Sequence, residues 1–118
     1  IEPKNSLWAE RDRFVLSKGH CSPAIYAVLA DKGYFPKSEL DGYRKINRML
    51  QGHPELQTPG IDFAGGALGQ GICFALGIAL ACRLDNKNCK AVSGNLFDQR
   101  FCLLVKGPRS QSFEKATA

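Results

Sequence analysis

The apolar and polar positions along the chain predict a short series of elements. Residues 13–17 form a brief apolar run that is typical of a buried strand. Ser22 as an N-cap and Pro23 in the first turn then predict a helix that ends at Gly33. Ser38 begins a second, more polar helix that is predicted to carry Tyr43 and several cations. Residues 51–66 contain two prolines and four glycines, which indicates a non-helical passage.

The strongest helical pattern covers residues 68–84, which are rich in Leu, Ile, Ala and Phe and contain no proline. Hydrophobic residues occupy nearly every side, so we predict a helix that is buried all round. Glycines at 69, 71 and 77 each lower the helix propensity by about 1 kcal/mol relative to alanine. They indicate that another backbone or a ligand comes close to its N-terminal end.

The order strand, turn, helix, long loop and buried helix is typical of the opening of an α/β domain. We therefore predict part of a parallel-sheet domain with helices on both faces. Only one clear strand precedes residue 88, so we expect the sheet to be incomplete and its other strands to come from elsewhere.

Composition excludes several classes of protein. The 118 residues are 44% hydrophobic and 23% charged, which is typical of a globular protein. No apolar run reaches the roughly 20 residues that span a bilayer, so we expect no membrane association. The net charge of +5 is concentrated in residues 86–118, which contain few aromatic residues. That distribution does not favour nucleic-acid binding.

The five cysteines form no C-x-x-C pair, and no secretory signal is visible. They are predicted to be reduced thiols of an intracellular, cytoplasmic protein. Cys73 and Cys82 fall in the apolar helix, where cysteine behaves as a small hydrophobic residue. Two histidines and no ligand spacing give no support to a zinc site.

Glycine-containing turns occur at residues 17–20, 51–55 and 65–71. Both histidines, His20 and His53, directly follow a glycine in the first two turns, where they are better placed to meet a ligand than core histidines are. Taken singly, each of them is more often explained by solvent exposure or a local backbone hydrogen bond. The third turn places glycines at a helix N-terminus, which favours an anion or a polar ring. A glycine-packed helix contact is the alternative, since the spacing matches neither the dinucleotide fingerprint nor the P-loop.

Three segments resemble the amino-terminal half of transketolases. They are Arg-Asp-Arg-Phe-Val-Leu-Ser-Lys-Gly-His at 11–20, Gln-Gly-His-Pro-Glu at 51–55 and Gly-Ala-Leu-Gly-Gln-Gly at 66–71. Their order and spacing are more specific than any one of them. The version Ser-Lys-Gly-His-Cys-Ser-Pro is most similar to the split bacterial form, in which an amino-terminal subunit pairs with a carboxy-terminal one.

The resemblance implies an enzyme of the pentose phosphate pathway that uses thiamine diphosphate to transfer a two-carbon ketol unit between sugar phosphates. It implies two catalytic residues: His20 beside the cofactor and His53 on the hydroxyls of the sugar donor. Gly66, Ala67 and Leu68 would line the cofactor together with His20. It also implies a homo- or hetero-oligomer, with the active site between the subunits of a dimer and the remaining residues on a carboxy-terminal half or subunit.

The sequence departs from the family pattern near its end. The Gly-Asp-Gly that would hold Mg²⁺ against the diphosphate is absent, and neither Asn95 nor Asp98 is assigned as a metal ligand. We therefore expect residues 1–90 to be a partial thiamine diphosphate-binding domain and residues 91–118 a basic tail outside the family. A frame change, alternative splicing or an early stop would produce such a fragment. A histidine-bearing loop would precede residue 1.

We expect the chain alone to be inactive and to bind thiamine diphosphate weakly or not at all. Within the cofactor class, a deoxyxylulose phosphate synthase is the alternative to a transketolase. Outside it, the alternative is a non-catalytic truncated module that docks on a full-length relative or a partner subunit.

Overall fold

The computed structural model describes residues 3–94, 102–106 and 114–116. In these ranges the strands and α-helices are β1 (Arg13–Leu16), α1 (Ser22–Asp31), α2 (Gln70–Leu84), β2 (Lys90–Gly94), β3 (Cys102–Lys106) and β4 (Glu114–Ala116). Short 3-10 helices cover Pro3–Asn5, Gly19–Cys21 and Lys37–Gly42. The sheet order is β1-β2-β3-β4; β1 and β2 are parallel, while β3 and β4 add antiparallel strands.

The two helices cover opposite faces of the sheet. Val15 packs with Ala75 and Ala79 of α2, whereas the next residue, Leu16, packs with Ile25 and other residues of α1. Because consecutive side chains of a strand point to opposite faces, the two clusters lie on either side of β1. This confirms the predicted α/β fold with helices on both faces.

Helix α1 follows the prediction at its end but not at its start. Gly33 adopts φ +84°, and the amide of Tyr34 donates to the carbonyl of Leu29 at 3.0 Å, which closes the helix as expected. The N-cap position belongs to Cys21 rather than Ser22. The Ser22 hydroxyl instead donates to the carbonyl oxygen of Gly52 at 2.7 Å. The predicted cap is wrong because that hydroxyl is used in a tertiary contact.

The predicted polar helix from Ser38 is also wrong. The 3-10 helix Lys37–Gly42 is followed by a loop, and Arg44 and Asn47 have φ of 58° and 57°. Left-handed residues interrupt a right-handed helix. The amide of Arg44 donates to the carbonyl of Leu50 at 2.8 Å, so a bond across the loop replaces the helical bonds.

Helix α2 begins at Gln70 and is buried on one face only, which corrects the expectation of burial all round. The buried positions are Gly71, Ala75, Ala79 and Cys82. The rest of its surface exposes large apolar side chains, namely Ile72, Phe74, Leu76, Leu80 and Leu84. Among the described residues, Phe63 also contacts Phe74, with the ring centroids 4.5 Å apart. None of the helices that the structure describes is long and apolar enough to cross a membrane.

A disulfide joins Cys82 of α2 to Cys89 just before β2, with their Cα atoms 6.2 Å apart. This corrects the prediction that all cysteines are reduced; Cys21 and Cys73 are free thiols. The bond links the end of α2 to the start of β2 across a short loop. The prediction for Cys102 falls on a side chain outside the described part of the chain.

Candidate functional site

The three glycine-containing turns meet at the carboxyl end of β1. A side chain on Gly19 would collide with the carbonyl oxygen of Gly65 and would lie 3.4 Å from the imidazole of His53. Glycine at position 19 therefore lets the first and third turns approach each other around the second. The spacing along the sequence predicted the turns separately, and the fold brings them together.

The two histidines are in direct contact within this cluster. Their ring centroids are 4.5 Å apart, and the rings meet edge to face at 81°. A Cβ on Gly66 would lie 3.7 Å from Nδ1 and Cε1 of His53. Ala67 and Leu68 follow Gly66 along an exposed stretch that leads into α2, and the Leu68 side chain is 58% exposed. The structure thus groups His20, His53 and Gly66.

Helix α1 anchors the turn that carries His53. The Tyr26 hydroxyl lies 2.9 Å from the carbonyl oxygen of Gln51 and 3.2 Å from that of His53. The Ser22 hydroxyl donates to the carbonyl oxygen of Gly52, the residue between these two. Three consecutive carbonyl groups are therefore fixed by two buried hydroxyls. Burial raises the pKa of Tyr26 to about 12, and the neighbouring Tyr43 and Glu55 shift it in the same direction.

We expect Tyr26→Phe to lower the free energy of unfolding by about 1–2 kcal/mol at pH 8, because two part-buried carbonyl groups lose their donor. The pKa of Tyr26 in the folded chain is about 12, above its ordinary value of 10. The stabilisation is therefore fully present below pH 10 and is lost as the pH rises towards 12. Urea unfolding from pH 8 to 12 should show a steeper loss in the parent chain than in the variant. Equal slopes would contradict this role.

A pocket of about 430 Å³ opens beside the histidine pair, within the range of small-ligand sites. It is lined by both histidines and by Tyr43, Arg44, Gln51 and Glu55. The sequence pattern did not predict the contribution of residues 43, 44 and 55. The sequence predicts a polar helix for Tyr43 and Arg44, because no periodic pattern distinguishes a loop residue with a left-handed backbone from a helical one. Glycines at 42 and 52, which bound this loop, are the signal that the sequence offers.

Two buried hydroxyls lie beside the same edge of the sheet. Among the described residues, Ser17 Oγ and Ser93 Oγ have no hydrogen-bond partner. Ser17 packs against Gly71, since a Cβ on Gly71 would lie 2.7 Å from Ser17 Cβ. The N-cap residue of α2, Gly69, makes no side-chain cap. Unpaired polar groups therefore remain where the third turn enters α2. No cluster of three or more metal-ligating side chains occurs in the described ranges.

A family model for the transketolase thiamine diphosphate-binding domain matches residues 1–108. The chain belongs to the transketolase family. The match extends past residue 90, where we predicted the family sequence to end, and that boundary remains a prediction. The resemblance seen in the three motifs is confirmed.

This chain is also similar to individual transketolases. The chain is 52% identical to a 6-deoxy-6-sulfo-D-fructose transketolase subunit of Clostridium sp. (strain MSTE9), over 73% of this chain and 32% of that protein. It is 41% identical to an apulose-4-phosphate transketolase subunit of Phocaeicola vulgatus, over 76% of this chain and 32% of that protein. The solved structure of the Campylobacter jejuni transketolase matches with a TM-score of 0.69 and 40% identity, over 72% of this chain and 14% of that protein. The chain spans about a third of the length of the two subunits.

The described residues fit thiamine diphosphate, the cofactor for which this domain is named. The turns pack around glycines 19 and 71, where a Cβ would collide with a neighbour. The third turn is exposed from Gly66 to Gly69, and its apolar Leu68 precedes the N-terminus of α2, which has no side-chain cap. An aromatic ring and a charged diphosphate need such a combination of apolar support, open backbone and polar donors.

Proposed function

We propose that this chain forms the cofactor- and sugar-binding part of a transketolase that transfers a two-carbon ketol unit between sugar phosphates. The edge-to-face contact of His20 and His53 beside Gly66 is the observation that carries the proposal. It joins the three motif segments in one cluster at the carboxyl end of a parallel strand, the edge where α/β sheets place their ligands.

The cofactor would lie on the third turn. Gly66 would offer its backbone to the aminopyrimidine, Leu68 would support the bent cofactor, and His20 would lie near the diphosphate and the reacting face. Thiamine diphosphate supplies, when bound, the carbon nucleophile and the electron sink that ketol transfer needs. We include Mg²⁺ as its counter-ion. Asn95 and Asp98 lie outside the described residues, and no ligand for the metal is assigned.

The histidines would orient the sugar. Neither imidazole forms a hydrogen bond with the protein in the part that the structure describes, so their ring nitrogens are available to sugar hydroxyls. His53 would bind the hydroxyls next to the donor carbonyl. These roles require accurate position, which the anchoring of residues 51–53 on α1 provides.

The remaining parts of the activity would come from a partner. The two related subunits are longer than this chain, and their names specify a sulfonated sugar and a sugar phosphate. We propose that anionic sugars are the substrates and that a carboxy-terminal half or subunit completes the site in a dimer. A cytoplasmic location and a place in the pentose phosphate pathway belong to the same proposal.

The test combines this chain with the carboxy-terminal subunit of a split transketolase, thiamine diphosphate, Mg²⁺, a ketose phosphate and an aldose phosphate. We expect ketol transfer with both chains and none with either alone. His53→Ala should lower the rate about tenfold through lost hydrogen bonds to the donor, while Lys87→Gln, beyond the C-terminal end of α2, should not change it. Co-purification of the two chains without turnover would instead favour a docking module.

A further inference from the structure

Tyr43 lies where the pocket meets the turn formed by residues 51–53. It lines the pocket, and its hydroxyl is 3.2 Å from Ser22 Oγ. Its ring packs against the buried core and meets the ring of Tyr26 edge to face, with the centroids 6.1 Å apart. Its amide donates to the carbonyl of Leu40 at 3.1 Å. The ring and the backbone thus hold the hydroxyl at one point on the pocket wall.

The direction of the hydrogen bond between Tyr43 and Ser22 follows from the other partner of Ser22. The carbonyl oxygen of Gly52 can only accept, so the Ser22 hydroxyl donates its single proton there, at 2.7 Å. That proton is no longer available to Tyr43. The Tyr43 hydroxyl is therefore the donor in its contact with Ser22 Oγ. The three groups form a chain of hydrogen bonds with one direction, from Tyr43 through Ser22 to Gly52.

This direction makes Tyr43 strengthen the bond that fixes the turn. A hydroxyl that accepts a hydrogen bond becomes a better donor, because the bonds in a chain polarise one another. The effect is largest away from water, and Ser22 is fully buried. The carbonyl group that receives the bond belongs to Gly52, which directly precedes His53. Loss of the Tyr43 hydroxyl should therefore loosen the backbone next to this histidine.

We propose that Tyr43 is a positioning residue for His53, acting through the Ser22 hydroxyl and the Gly52 carbonyl group. Its ring lines the pocket while its hydroxyl donates into the first residue of α1. One side chain thus joins the wall of the site to the turn that carries the histidine. The part that Tyr43 plays in ketol transfer rests on the proposed function, whereas its link to His53 rests on the hydrogen bonds alone.

The experiment introduces Tyr43→Phe into the full 118-residue chain and follows the ring protons of both histidines by NMR at pH 8. The ring centroids of His20 and His53 are 4.5 Å apart, so the ring current of one histidine acts on the protons of the other. Tyr43→Phe keeps the aromatic ring and removes only the hydroxyl, so these signals should move while the chain stays folded. Tyr34→Phe is the matched control. Tyr34 is not among the residues that line the pocket, and loss of its hydroxyl should leave the histidine signals in place.

Double variants test the route from Tyr43 to the histidine. Ser22→Ala removes the middle of the chain of hydrogen bonds, so adding Tyr43→Phe to it should shift the His53 signals no further. Tyr26 bonds to its two carbonyl groups directly, so Tyr43→Phe should keep its full effect in a Tyr26→Phe background. Unmoved histidine signals in Tyr43→Phe, equal shifts in the Tyr34 and Tyr43 variants, or a full Tyr43 effect without the Ser22 hydroxyl would overturn the proposal. If Ser22→Ala does not fold, the comparison of the Tyr34 and Tyr43 variants decides.

A turnover assay separates this proposal from the proposed function. With the carboxy-terminal subunit of a split transketolase, Tyr43→Phe should lower kcat/KM for the ketose about threefold, as the loss of one net hydrogen bond allows. The KM for the aldose should not change, because His53 would bind the ketose. If the parent chain shows no turnover but the histidine signals move through Ser22, the link to His53 stands and the proposed function fails. If the parent chain is active and Tyr43→Phe matches its kcat/KM for the ketose, the proposed function stands and the positioning role fails.

Discussion

Gly71→Ala is expected to lower the free energy of unfolding by about 3 kcal/mol. A Cβ at this position would lie 2.5 Å from Ser17 Cα and 2.7 Å from Ser17 Cβ. Ser17 follows β1 directly, and its amide donates to the carbonyl of Gly94 at 3.0 Å, so it cannot move aside without disturbing the sheet. Helix α2 would have to shift away from the strand, and the apolar contacts of Ala75 with Val15 would loosen.

Gly77 of the same helix provides the matched control. A Cβ there meets nothing within 4 Å, so alanine should raise the free energy of unfolding by about 0.5–1 kcal/mol through helix propensity alone. Urea denaturation of both variants, followed by circular dichroism, gives the comparison. A similar change in the two variants would show that α2 does not pack against Ser17 as described.

Asp62→Ala is expected to lower the free energy of unfolding by about 3–5 kcal/mol, the usual cost of removing one partner of a buried ion pair. The carboxylate binds Arg11 through two contacts, Nη1–Oδ2 at 2.9 Å and Nη2–Oδ1 at 2.5 Å, and both side chains are at most 10% exposed. Arg11 also donates Nε to the carbonyl of Ser6 at 2.5 Å. Removing the carboxylate leaves a guanidinium that is desolvated and uncompensated.

The control is Asp31→Ala, which breaks an ion pair with Lys37 whose side chains are 67% and 71% exposed. Water already solvates that pair, so its loss should cost less than about 1 kcal/mol. The double variant Arg11→Leu with Asp62→Leu should be more stable than Asp62→Ala, because no buried charge is left unpaired. Chemical denaturation at two salt concentrations measures all three, and equal costs for the Asp31 and Asp62 variants would contradict the assignment.

The elements that the sequence predicts well are those fixed by local chemistry. Residues 13–17 show the apolar run of a buried strand, and Gly33 ends α1 where its left-handed backbone allows. The prediction of a polar helix from Ser38 failed because the bond from Arg44 to Leu50 lies outside local propensity. Helix α2 looked buried all round because periodicity reports apolar side chains and does not report which faces a neighbour covers.

The site was predicted in parts. The glycines beside His20 and His53 marked both histidines as loop residues that are better placed to meet a ligand than core histidines, and the family motifs gave them a role together with Gly66. They are brought together by the anchoring of residues 51–53 on α1 and by the close approach of Gly19 to Gly65, and both contacts join residues far apart in the sequence. Arg44 was missed for a related reason, since its place in the pocket depends on a loop closed by tertiary contacts. The disulfide of Cys82 and Cys89 follows no spacing motif.

The pairing of β1 with β2 also sets an order of assembly. The Asp12 carboxylate accepts the amide of Lys90 from 78 residues further along the chain, so the first strand of the sheet must wait for the last part of the crossover to be synthesised. The cluster of Leu16, Tyr26 and Ile61 needs only residues made earlier. Contacts between near residues form faster than those that close a long loop. On the ribosome, the two histidine turns can therefore take shape around α1 before the sheet beneath them exists.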